Sequence, residues 1–282
     1  MTNSIRSRLV VAVLTLLTML AFAGNSLLTR LAFQTTHIDA ALFTAVRLGA
    51  GAVVLFALLH ARPRPRANAR EAWLSAALLF VYAAAMSYAY RGIGTGAGAL
   101  VLFAAAQVPM VVYGYRHGER TSVLGALLAF GGLTAFLRPW NASPTLGAAA
   151  LMAVAGIAWG LYSLRGRATE SALQWTANSF ICTVPMALGW LLLTAHAISV
   201  DTLGIAYAAL SGGITSALAY VLWYWVRTRM SATGAGAVQL SVPVFGVLLG
   251  ALILDEPVTA YSLAAGAVTL AGVALVSIKT RR

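Results

Sequence analysis

The chain has 282 residues, 60% of them hydrophobic and 9% charged, with a mean hydropathy of +0.84. So little polar surface cannot coat a water-soluble globule of this size; a polytopic membrane protein follows, with no segment left over for a soluble domain. The formal net charge of +12 would suit nucleic acid, but the basic residues are distributed as a topology signal, which excludes a nucleic-acid partner.

Apolar stretches of about 20 residues, enough to cross a ~30 Å hydrocarbon core as helix, recur ten times. They predict helices at approximately 9–33, 40–60, 72–90, 96–115, 121–137, 144–164, 173–195, 202–226, 233–254 and 259–278. The first run follows Arg6 and Arg8 and passes through Ala21-Phe22-Ala23, which looks like a signal-peptide cleavage site. The apolar pattern continues through Leu27, Leu28, Leu31 and Phe33, so the run is read as a retained span. The second carries Arg47, a charge that must face protein, water or a partner. It could take a substrate carboxylate, hold a gate, bond helix-end carbonyls, or snorkel to the interface near Asp39.

The third helix carries Tyr82. The fourth opens on the small residues Thr95 to Ala99, which allow close helix contact, and continues through Phe103, Gln107 and Pro109. Trp159, Tyr162 and Ser163 lie on the sixth. Cys182, the single cysteine, lies on the seventh and excludes an intramolecular disulfide. Ser216 and Tyr220 lie on the eighth, and Gln239, Ser241 and Pro243 on the ninth. Pro109 and Pro243 each remove a backbone hydrogen bond inside a helix, as candidate gating hinges or as fixed bends. Trp73, Trp140 and Trp190 read as interface residues. Asn141-Ala-Ser143 matches the glycosylation acceptor pattern only by chance, in a very short loop.

The chain also repeats itself. Arg91 to Ala99 reads R-G-I-G-T-G-A-G-A, and 138 residues later Arg229 to Ala237 reads R-M-S-A-T-G-A-G-A. Tyr82 and Tyr220 keep that offset; Phe22 and Trp159, Ser26 and Ser163, and Arg30 and Arg167 are each 137 apart. Each half then shows a proline (Pro109, Pro243), a glutamate (Glu119, Glu256) and two glycines six apart (Gly125 and Gly131, Gly266 and Gly272). The fold expected is an all-α membrane protein of two five-helix repeats, residues 1–140 and 141–282. Five is odd, so the second repeat enters the membrane inverted, an arrangement that places a substrate site where the halves meet. With ten helices, fifteen basic residues fall on one side and three on the other. That asymmetry puts both termini in the cytoplasm, here of a bacterial inner membrane.

All seven acidic residues and all four histidines fall in loops or near helix ends. Without a mid-membrane proton relay, a facilitator or weakly coupled carrier is expected. Without a Walker sequence, a metal-ligand cluster or an assembled acid, base and nucleophile, no enzyme and no cofactor are expected.

The Phe43-Thr-Ala-Val-Arg47 element, the small-residue entries at Thr95 and Thr233, the Pro109 to Glu119 and Pro243 to Glu256 elements and the Ala217 to Arg227 stretch resemble the drug/metabolite transporter superfamily. Within it they are most similar to the ten-helix EamA-type branch and its aromatic amino acid exporters. The first helix departs from the pattern, with Phe22-Ala-Gly-Asn25 where a Trp-Gly dipeptide is common. The resemblance implies a central cavity between helices one, three and four and their partners six, eight and nine. It implies as substrate-binding residues Asn25, Tyr82, Phe103, Gln107, Trp159, Tyr162, Ser216, Tyr220 and Gln239, with Arg47, Pro109 and Pro243 as gating or hinge residues. The expected activity is export of small metabolites, aromatic or large neutral amino acids foremost, by alternating access. Export of nucleobases or amphipathic drugs is the alternative, and a channel or lipid scramblase the alternative of another class. The partners expected are a small-molecule substrate and the lipid bilayer, with the chain a monomer or dimer.

Overall fold

The computed structural model describes residues 2–60, 69–93, 95–119, 122–137, 145–194, 198–254 and 259–277. Gly94, Trp140, Asn141, Ser143 and Glu256, singled out above, lie outside those segments. The described residues are helical, with no strand among them. In chain order they form α1 (Thr2–Thr35), α2 (Ala40–His60), α3 (Ala69–Ala89), α4 (Thr95–Arg116), α5 (Val123–Leu137), α6 (Leu146–Arg165), α7 (Ala172–Leu193), α8 (Thr202–Leu210), α9 (Ala219–Arg227), α10 (Ala232–Gln239), α11 (Val242–Leu254) and α12 (Ala260–Ser277). A π-helical segment, Ser211–Leu218, joins α8 to α9 as one rod.

Among the described residues, six helices are long and apolar enough to cross a membrane: Leu9–Thr35, Ala40–His60, Arg70–Ala89, Leu146–Arg165, Ala172–Leu193 and Thr202–Arg227. Val123–Ala135 and Leu263–Val276 are shorter apolar helices. This is a multi-pass membrane protein. Its outer surface carries large aliphatic side chains such as Val53, Leu127, Leu192 and Leu252, which in water would be an aggregation surface and in lipid are ordinary solvent contact. Helix starts are set by polar caps: Thr145, Ser171, Asp201 and Ser231 each accept a backbone N–H of the first turn of α6, α7, α8 and α10. Inside the rods, Thr18, Thr29, Thr44 and Thr176 return their hydroxyls to the carbonyl four residues back, so these hydroxyls are not stranded in an apolar medium.

Between lipid-facing rods, association depends on close backbone approach. Gly156 and Gly160 of α6 press on the carbonyls of Leu102 and Ala106 in α4, where an added Cβ would come to 2.2 and 2.5 Å. Most helix pairings run between residues 1–140 and 141–282. α3 and α4 pack on α6, α2 on α7, α5 on α12, and α1 on the α8–α9 rod and α11.

Three sequence expectations change. The ninth predicted helix is broken: α10 ends at Gln239, Leu240 and Ser241 make i→i−3 bonds to Ala237 and Val238, and α11 restarts at Val242. Pro243 therefore sits in the first turn of α11, where its missing N–H frees the Gln239 carbonyl, whereas Pro109 stays inside an unbroken α4. The repeat glycine Gly131 meets nothing. Its neighbour Gly132 presses on Thr269, and Gly125 and Gly272 press on each other.

Candidate functional site

Phe22 of α1 is the centre of a ring cluster. Trp159 lies 5.4 Å from it, Tyr220 5.6 Å and Trp223 5.8 Å, all near edge-to-face, the arrangement that sets a positive ring edge against a negative face. Tyr82 stands 5.1 Å from Trp159, which is 4.9 Å from Tyr220. Phe22 and Trp159, 137 residues apart in sequence, are thus direct neighbours. Phe22, Tyr82, Trp159 and Tyr220, with Asn25, Ser26, Met86, Tyr90, Leu102 and Phe103, line a cavity of about 20 Å³. That is room for about one water, so the cavity is closed and contracted.

Behind this wall lies a polar layer. Asn25 Oδ1 accepts the Ser211 hydroxyl at 2.6 Å and the Ser216 hydroxyl at 3.5 Å. Arg47, 1% exposed, donates through Nε to Ser216 (3.2 Å) and through Nη2 to the Tyr220 hydroxyl (3.3 Å), and its Cζ is 5.5 Å from the Tyr82 ring centre. Arg47 thus turns inward and neither bonds helix-end carbonyls nor snorkels toward Asp39. The π-segment makes this layer possible. Its wider turn brings both Ser211 and Ser216 toward Asn25, and Gly212 lies so close to α2 that a Cβ would fall 1.9 Å from the Arg47 carbonyl oxygen. Trp159 donates its indole N–H to Gln239 Oε1, whose amide nitrogen donates to the Ala235 carbonyl at 3.1 Å.

The sequence-derived site residues therefore separate into layers. Asn25, Tyr82, Phe103, Trp159 and Tyr220 line the cavity. Ser216 and Arg47 stand behind Asn25 and Tyr220, and Gln239 behind Trp159. Tyr162 is a ring neighbour of Trp159 at 5.9 Å with its hydroxyl unpartnered. Gln107 faces Gly236 of α10. Ser241 turns its hydroxyl back to the Val238 carbonyl.

Residues 146–278 match the EamA-like transporter family. Over 266 residues the chain is 47% identical to an uncharacterized protein of Pseudomonas aeruginosa, covering 93% of both chains. It is 23% identical over 192 residues to an uncharacterized transporter of Archaeoglobus fulgidus, covering 64% of this chain and 66% of that one. A crystal structure of a protein 20% identical in sequence superposes with a TM-score of 0.75, covering 93% of this chain and 98% of that one, and supports the fold. Residues 146–278 thus carry an EamA-like transporter family domain.

Two further features of the bundle were not found by sequence reasoning. At one end of the bundle, Glu119 crosses from the end of α4 to the start of α10. Its carboxylate accepts the N–H groups of Ala232 (2.9 Å) and Thr233 (3.0 Å) and the Thr233 hydroxyl (3.2 Å), and it pairs with Arg167 at 3.3 Å. Partial burial pushes the Glu119 pKa up, but these hydrogen bonds and Arg167 outweigh it, and the carboxyl is held below its ordinary value. At the other end, an open funnel of about 570 Å³ is lined by Phe33, Thr36, His37, Ile38, Tyr90, Arg91 and Ser199. Tyr90 lines both funnel and closed cavity. The 137-residue offset to Trp159 could have found Phe22; Tyr90 follows the end of α3 and carries no repeat signal.

Proposed function

We propose that this transporter exports small metabolites, aromatic or large neutral amino acids foremost, by alternating access between inverted five-helix halves, residues 1–140 and 141–282. The observation that carries the reading is the closed aromatic cavity whose walls, Phe22 and Tyr82 against Trp159 and Tyr220, come from both halves. Flat rings and one amide suit a solute with an aromatic or large apolar body and few polar groups.

The helix pairings support the inverted halves, with the α8–α9 rod counted as the eighth helix and α10–α11 as the ninth. Exchanging the halves turns α6 on α3 and α4 into α1 on the eighth and ninth helices, and leaves α2 on α7 and α5 on α12 unchanged. The funnel ending at Tyr90 and the Glu119 clasp at the opposite end describe a carrier facing the funnel with its other end shut. Charge asymmetry makes the clasped end, with Arg116, Arg165, Arg167, Arg227 and Arg229, the cytoplasmic one. The cavity lining contains no carboxylate or histidine, which suits facilitated or weakly coupled movement.

A nucleobase is the second reading, favoured by the Asn25 amide set among rings. The experiment is uptake into proteoliposomes of labelled amino acids and nucleobases, with and without a pH gradient. Saturable amino-acid flux insensitive to the gradient is expected. Flux of nucleobases alone would move the assignment to them, and flux of neither would remove it.

A further inference from the structure

Arg47 carries a charge that no carboxylate among the described residues pairs with. Both its acceptors, Ser216 and Tyr220, are neutral hydroxyls, and its Nη1 is buried without a hydrogen-bond partner among the described residues. No ion pair described for the chain includes it. A guanidinium so placed is costly in an apolar medium unless some state of the protein supplies an anion. Two walls of the substrate cavity, Tyr82 and Tyr220, are what touch it.

The funnel is lined by Arg91, a charge of the same sign, and by His37. The nearby carboxylates are already committed as helix caps: Asp39 Oδ1 accepts the Ala41 N–H at 2.7 Å, and Asp201 accepts the Gly204 N–H at 2.9 Å and the His37 N–H at 3.5 Å. Hydrogen bonding to Gly204 holds the Asp201 pKa below its ordinary value. An ammonium group, by contrast, finds no welcome in the cavity. The Asn25 carbonyl oxygen already accepts two hydroxyls, and Arg47 behind it repels a second cation.

We infer that the obligatory handle of the transported solute is a carboxylate, read by the free edge of Arg47, and that an amino group is tolerated without being read. The substrate class is then aryl or large-alkyl monocarboxylates, with neutral amino acids as one subset. The inference rests on the transport reading above and names the substrate chemistry of that cavity. The cavity must widen to admit any such solute, and widening between Tyr82 and Tyr220 bares the guanidinium edge. A planar fork meeting a planar carboxylate is the strong, orientation-specific form of this contact, and a phosphate would ask for more than one buried cation.

The test uses three probes with one ring and nearly one spacer: 3-phenylpropionate, L-phenylalanine and 2-phenylethylamine. Apparent affinities come from the concentration dependence of the melting temperature of the purified full-length protein in lipid nanodiscs. Both carboxylates are expected to stabilise it, and 2-phenylethylamine to bind about thirtyfold more weakly or not at all. Arg47→Gln is expected to weaken 3-phenylpropionate by about thirtyfold or more while 2-phenylethylamine, no longer repelled, binds at least as well as before, and Arg47→Lys to restore part of the loss. Equal binding of the amine and 3-phenylpropionate, binding of neither carboxylate, or an unchanged ratio in Arg47→Gln would overturn the inference. The wild-type ranking decides alone if Arg47→Gln does not fold. Flux of 3-phenylpropionate without flux of phenylalanine removes the amino-acid assignment and keeps the carboxylate handle. Flux of phenylalanine with equal binding of the amine does the reverse.

Discussion

Arg47 and Arg227 are buried to the same degree, 1% and 0% exposed, and each keeps buried nitrogens without a hydrogen-bond partner among the described residues, Nη1 of Arg47 and Nε and Nη2 of Arg227, yet the acceptors they do find differ. Arg227 closes α9, where the chain leaves the membrane-crossing rod, and its Nη1 donates to the carbonyls of Met230 (3.2 Å) and Ser231 (3.5 Å). Helix ends offer such carbonyls, along with the negative end of the helix dipole, and Glu119 attracts the same charge from across the bundle. Arg47 lies in the interior of α2, whose carbonyls are committed to the helix itself, and it finds only neutral hydroxyls. The buried charge at the helix end thus has carbonyl acceptors and a carboxylate across the bundle, whereas the one in the middle has neither.

The largest effect expected is at the contact that builds the mid-helix environment. Gly212→Ala puts a methyl group 1.9 Å from the Arg47 carbonyl oxygen and 2.7 Å from its carbon. Neither is a flexible side chain that could give way. A loss of about 3 kcal/mol or more is expected, seen as failure to purify a monodisperse protein or as a large fall in melting temperature; a normal melting curve would mean that the π-segment does not hold α2 this tightly.

The comparison itself breaks or holds on paired alanine variants. Arg227→Ala removes bonds from a charged donor to helix-end carbonyls and is expected to cost about 1.5–3 kcal/mol of stability, with the ligand ranking unchanged. Arg47→Ala removes an uncompensated charge, so its stability should shift by only about 1 kcal/mol in either direction while carboxylate binding is lost. If both variants lose stability equally and keep binding, Arg47 is as structural as Arg227 and the distinction fails.

How much of this was legible in the sequence follows from the range of each signal. Span positions came from apolar runs, and Tyr82, Trp159 and Tyr220 came from a repeat that places equivalent residues beside one cavity. Arg47 could be flagged but not aimed, because a lone charge in a span carries no record of which way it turns. The π-segment was invisible, since Ser211-Gly-Gly within an apolar run reads as ordinary helix. Its presence matters because it presents two hydroxyls to Asn25. Glu119 was visible as a repeated residue, but its partners are 113 and 114 positions away, and no local pattern links them. At the position of α7 equivalent to Arg47 stands Val184 or Pro185. The repeat therefore located the cavity, while its charge came from a residue the repeat does not duplicate.

A smaller effect is expected at the ring wall. Trp159→Ala removes the ring that meets Phe22, Tyr82 and Tyr220 and frees the Gln239 amide. Apparent affinity for phenylalanine and 3-phenylpropionate should fall about tenfold, the worth of one or two aromatic contacts. An aliphatic carboxylate such as octanoate should be affected less, because it keeps the Arg47 contact and loses only shape. Equal losses across ring-bearing and aliphatic probes would mean that Trp159 supports the fold without selecting the ring.

The smallest effect near neutral pH is expected at the clasped end. Because the folded Glu119 pKa is depressed, its contribution is fully present above the ordinary glutamate value of about 4.3 and is lost as pH falls through the lower folded value. Protonation leaves the Ala232 and Thr233 N–H groups without an anionic cap and releases Arg167, so acid should loosen this end and neutral pH should not. A cysteine placed at Ser231, in a Cys182→Ser background, reports this through its rate of alkylation corrected for thiolate fraction. That corrected rate should stay level between neutral pH and about pH 5, above the ordinary glutamate value. Glu119→Gln, which keeps the shape but not the charge, should raise it severalfold at neutral pH. The same variant should leave the carboxylate-over-amine ranking untouched, because the clasp and Arg47 share no contact. A changed ranking would tie the two ends of the pathway together more closely than their separate hydrogen-bond networks do.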